Sequence, residues 1–138
     1  MKMCNKDNDT VWENNYRELI NVAGKCLNPE YINGQVIVVK AITGKIYSTN
    51  IPDYRDKDNR ELIENKLIEI LLNEENGRVQ CCLCIMSDLN PIIPSWNFLK
   101  RLIDINSDNM HTETFLSGGA DCILVKDLEM LIPPPINN

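Results

Sequence analysis

The chain has 138 residues, 43% of them hydrophobic and 25% charged, which suits one domain with a packed core. Its net charge of −6 argues against broad binding to nucleic-acid phosphates but says little against a small ligand pocket. No apolar run approaches the roughly 20 residues of a membrane span, and the polar start MKMCNKDNDT lacks the apolar centre of a secretory signal, so a cytoplasmic protein is expected. The six cysteines include Cys81, Cys82 and Cys84 in one apolar segment; without an export signal they read as reduced thiols.

In chain order, Thr10 and Glu13 have capping-box spacing, and Trp12, Tyr16, Leu19, Ile20 and Ala23 recur at helical spacing. This predicts a helix ending near Gly24 to Asn28, before Pro29. The β-branched run Gln35 to Ile42, the Thr43-Gly44 turn and the return Lys45 to Asn50 predict a hairpin. Ile51 to Lys57 is a polar loop. Asp58 and Glu61 repeat the capping pattern, opening a helix to about Asn73 with an apolar face of Leu62, Ile63, Leu67, Ile70 and Leu71. Glu64, Glu69, Glu74 and Glu75 are expected on its solvated side.

Asn76-Gly77 ends that helix, and Arg78 to Met86 predicts a strand that is apolar on both faces, hence an inner strand covered on both sides. Asn90 to Pro94 reads as a loop into a helix that opens at Ser95, with Phe98, Leu99, Leu102 and Ile103 as its stripe. Thr112 to Leu116 predicts a strand, Gly118-Gly119 a turn, Asp121 to Val125 another strand and Asp127 to Leu131 a short helix. Pro133 to Pro135 ends the fold, with residues 1–9 and 136–138 expected as flexible ends of a single domain.

The order of these elements resembles the cytidine deaminase family, blasticidin deaminases included. The hairpin AITGKIYSTN and the tail CILVKDLEMLIPPP carry the resemblance. It implies a three-layer α-β-α fold with a mixed five-stranded sheet. It also implies assembly into dimers or tetramers. In that family one helix starts with His or Cys, one residue, then Glu, and the next starts with Pro-Cys-x-x-Cys. Three side chains hold zinc, and the Glu shuttles protons between the bound water, the ring nitrogen and the departing ammonia. Aligned on this chain, Asn59 stands at the first ligand position, Glu61 at the shuttle position, and Ser95 and Phe98 at the two cysteine positions. Asn50 falls where the family holds the ribose.

Asn and Ser are poor zinc ligands and Phe has no ligating atom, so neither a zinc ion nor any other cofactor is expected. Glu61 reads either as a vestigial shuttle or as a capping residue bonded back to Asp58. Ser95 reads as a nucleophile or, with no base nearby in sequence, as an N-cap. Trp96 and Phe98 either stack a base or fill the volume of the absent metal. Asn50, Asn59, Ser95, Trp96 and Phe98 thus form the candidate pocket. Cys82 and Cys84 share a strand face and could join His111 in a soft-metal site, although packing is the simpler role for buried thiols.

The expected function is a deaminase-fold protein without deaminase activity that binds a nucleoside-like ligand or a protein partner, a second copy of itself included. Two alternatives stay open: an active nucleoside deaminase with an unorthodox zinc site, and a metal-free enzyme on the same scaffold, as the formyltransferase domain of purine synthesis resembles this fold.

Overall fold

The computed structural model describes residues 9–116 and 121–128. Helix α1 (Asp9–Cys26) precedes strands β1 (Gln35–Ala41) and β2 (Ile46–Ile51), helix α2 (Lys57–Glu75), strand β3 (Val79–Met86) and a two-residue strand β4 (Pro91–Ile92). Helix α3 (Trp96–Ile105), a 3-10 turn (Ser107–His111), strands β5 (Glu113–Leu116) and β6 (Asp121–Leu124) and helix α4 (Val125–Leu128) follow.

The sheet runs in the order β2-β1-β3-β5-β6, with β4 attached to β3. Strand β3 pairs antiparallel with β1 and parallel with β5, and β5 pairs antiparallel with β6, so the sheet is mixed. As expected, β3 is an inner strand. Its free side is shared, because β5 takes Cys81 and Cys82 while β4 takes Cys84 and Ile85. The segment expected as a plain loop therefore contributes a sixth strand. Pro91 is tolerated there because a two-residue edge needs few donors.

The period-2 geometry of β1 and β3 divides the core. Val36, Val38, Cys81, Leu83 and Ile85 pack with Phe115 against Leu19 and Ala23 of α1. Ile37, Val39, Cys82 and Cys84 face Leu67, Ile68 and Leu71 of α2 and Phe98 and Leu102 of α3. Helices thus cover both faces, giving the three layers anticipated.

Several boundaries differ from expectation. Thr10 lies inside α1 instead of capping it. Asp56, not Asp58, caps α2, accepting from the Asn59 backbone N–H at 3.3 Å, and Asp58 sits in the first turn, where its charge suits the helix dipole. Val125 starts α4 instead of ending β6. Of the expected flexible ends only Asp9 is described, and it is helical; the Gly118-Gly119 turn, Leu131 and the prolines from Pro133 lie outside the described residues.

Candidate functional site

The site is built where α3 begins against the first half of α2. Pro94 cannot continue a helix backwards, and Ser95 follows in extended conformation with φ −60° and ψ 151°. Its hydroxyl accepts the Phe98 backbone N–H at 3.2 Å, as an N-cap should. The first turns of α3 then bury Phe98, Leu99 and Leu102, so the cap fixes which face of the helix meets the sheet.

Helix α2 presents a different face from the one its leucines suggest. Glu64, Leu67, Ile68, Leu71 and Glu75 are buried, a run of helical spacing, whereas Leu62 is 54% and Ile70 44% exposed. Two of the glutamates expected in solvent are therefore interior. Glu64 is 1% exposed. Its carboxylate accepts the Ser95 hydroxyl at 2.7 Å and the Asn97 amide at 3.0 Å. Arg60, one turn earlier on α2, brings its Nε to 3.9 Å from the same carboxylate while its Nη1 donates to the Tyr54 carbonyl at 3.0 Å. That Nε is buried and has no hydrogen-bond partner among the described residues. Asn97 also approaches Asn65 Oδ1 at 3.4 Å.

The residues singled out in the sequence are dispersed around this point. Ser95 is at its centre. Glu61 is only half-buried and its side chain makes no hydrogen bond among the described residues; the carboxylate that meets Ser95 is that of Glu64, one turn on. The capping-box reading of Glu61 falls with Asp58, because the cap is Asp56. Asn59 serves that cap through its backbone N–H, with its side chain half-buried. Asn50 donates its amide to the Cys26 carbonyl at 2.5 Å, tying β2 to the end of α1. Phe98 is fully buried in the core beneath α2. Trp96 points elsewhere and packs with Ile93, Ile103 and Leu116 on the cluster of Leu99, Ile123 and Val125.

Cys82 and Cys84 share the α2–α3 side and Cys81 the α1 side, as alternation requires. Burial pushes the Cys82 thiol up to about 11, with the hydrogen bond to the Thr114 hydroxyl pulling the other way. Burial also raises the Cys84 thiol, and its electrostatic coupling to Cys82 and Glu64 acts in the same direction. His111 is exposed. Among the described residues no three His, Cys, Asp or Glu side chains gather as a metal-holding group. No helix among them is long and apolar enough to cross a membrane.

The signal that sequence reasoning missed was the spacing 64, 67, 68, 71 and 75, which is one helix face with a carboxylate at each end.

No protein-family model matches the sequence, and no curated protein is significantly related to it. Solved structures do match. Cytidine deaminase from Mycobacterium leprae is 13% identical, with a TM-score of 0.56 over 81% of this chain and 91% of that one. A point mutant of cytidine deaminase from Mycobacterium tuberculosis is also 13% identical, with a TM-score of 0.57 over 81% and 89%. The fold is cytidine deaminase-like: a mixed sheet between helical layers, matched over 81% of the chain.

Proposed function

We propose that the chain is a deaminase-fold protein that has given up the zinc centre and deamination, and that it works by binding a small nucleoside-like ligand or a protein partner. The observation that carries this reading is the contact of Ser95 with Glu64 beside a fully buried Phe98. The family's shuttle carboxylate meets the metal-holding start of the next helix, and in this chain Glu64 is the carboxylate that does so. The family spacing of ligand, one residue, Glu then moves the first ligand position from Asn59 to Leu62, and the shuttle position from Glu61 to Glu64.

The donor set in that register is Leu62, Ser95 and Phe98, which does not fit zinc. Leu62 and Phe98 have no lone pair to offer. The Ser95 hydroxyl is engaged twice, donating to Glu64 and accepting from Phe98 N–H. The thiols of Cys82 and Cys84 are held protonated by burial, the wrong state for a metal ligand. With no activated water to serve, Glu64 has a holding role and not a proton-shuttling one.

An ammonia-release assay with cytidine and deoxycytidine, run with and without added zinc, tests the reading. No turnover is expected under either condition. Turnover abolished by a chelator would overturn it.

A further inference from the structure

A carboxylate in the interior is costly unless its acceptor sites are answered. At 1% exposure, Glu64 receives one hydrogen bond on each oxygen, Ser95 Oγ on Oε2 and Asn97 Nδ2 on Oε1. Both donors lie at the opening of α3, 31 and 33 residues further along the chain. The Arg60 guanidinium supplies positive charge from the α2 side at 3.9 Å. Ser95 is at once the cap of α3 and a donor to α2, so one hydroxyl both starts the helix and, with the Asn97 amide, binds it to the flank of the other.

We propose that Glu64, Ser95 and Asn97 form a metal-free clamp that sets how α3 lies on α2, a polar cross-link standing where the resemblance would put a metal to join the same two helices. The inference rests on the reading that the zinc centre is gone. Apolar packing among Phe98, Leu102, Leu67 and Leu71 holds the helices together but supplies no directional contact of its own. A two-pronged carboxylate contact is satisfied in one register only. Glu64 is thus a positioning residue, acting on the shape of the fold through the cap of α3.

Ser95→Asp separates a clamp from a mere cap. Asp caps helices about as well as Ser, so capping alone predicts a variant close to wild type. The clamp predicts the reverse, because a second carboxylate would face Glu64 with no proton to donate. Urea unfolding of the full chain should find Ser95→Asp less stable than Ser95→Ala. An Asp variant as stable as the Ala variant, or more so, overturns the clamp. A double-mutant cycle of Ser95→Ala with Asn97→Ala gives a second reading that leaves Glu64 in place. Independent sites combine nearly multiplicatively in the unfolding constant, so a departure of more than threefold is expected of two donors sharing one acceptor, and a smaller one counts against the clamp. The same melts with a chelator tell the two failures apart. Unchanged midpoints are expected. A drop on chelation in the wild type overturns the metal-free reading on which the clamp rests, whereas additive variants without a chelator effect overturn the clamp alone.

Discussion

Helix α2 carries two buried carboxylates, Glu64 and Glu75, about 16 Å apart along its axis at 1.5 Å per residue. They do similar work in different surroundings. Glu75 sits at the rim, 9% exposed, and accepts the Thr43 hydroxyl at 2.8 Å and the Tyr47 hydroxyl at 2.7 Å. It pins the β1–β2 turn to the end of the helix, with Lys45 lying 5.2 Å from the Tyr47 ring beside it. Glu64 is deeper and pins α3. The rim site can exchange its partners with water when broken, and the inner one cannot. The two contacts therefore hold one helix near its middle and at its C-terminal end, with unequal consequences when either is lost.

The largest effect expected lies beside the inner contact. Phe98→Ala should cost roughly 3–5 kcal/mol in urea unfolding, since a fully buried ring leaves a cavity that its neighbours fill only in part. A loss below about 1 kcal/mol would mean that the ring is not a filler of the core. Next comes Glu64→Ala, which strands the Ser95 hydroxyl, the Asn97 amide and the Arg60 guanidinium; about 2–4 kcal/mol is expected. The comparison breaks if Glu75→Ala costs more than Glu64→Ala.

The rim contact is sharpened by pH. The Tyr47 hydroxyl first, and the Thr43 hydroxyl second, hold the Glu75 carboxyl below its ordinary value of 4.5, against the opposing effect of burial. A depressed carboxyl stabilises the fold above its unfolded value and loses that contribution as pH falls through the folded one. Tyr47→Phe removes the larger cause. The stability gap between wild type and Tyr47→Phe should be full at pH 6–7 and shrink as pH falls below 4.5. A gap that does not change with pH would contradict the assignment. The smallest effect is expected from Glu61→Gln, within about 0.5 kcal/mol of wild type, because its half-buried side chain makes no hydrogen bond among the described residues.

The sequence discloses these regions unequally. The hairpin, the inner strand and the Ser95 cap were legible because each has a local cause: β-branched residues around Thr43-Gly44, an apolar run from Cys81 to Met86, and a hydroxyl after Pro94. The buried face of α2 was not. Leucines and isoleucines stand on several sides of that helix, so periodicity alone could not choose between Leu62 and Glu64. The charge of Glu64 argued for solvent, and only the approach of Ser95 and Asn97, distant in the chain, reverses that. Strand β4 was hidden for a simpler reason: Pro91 reads as a break, and pairing with Cys84 and Ile85 is not visible locally.

The account turns on what occupies the meeting point of α2 and α3. Elemental analysis of purified protein, after equilibration with zinc and removal of the excess, addresses this most directly. If Glu64 is held by Ser95 and Asn97 and Phe98 fills the core, zinc should be far below one ion per chain. One tightly held zinc per chain, lost only to a strong chelator together with stability, would contradict it.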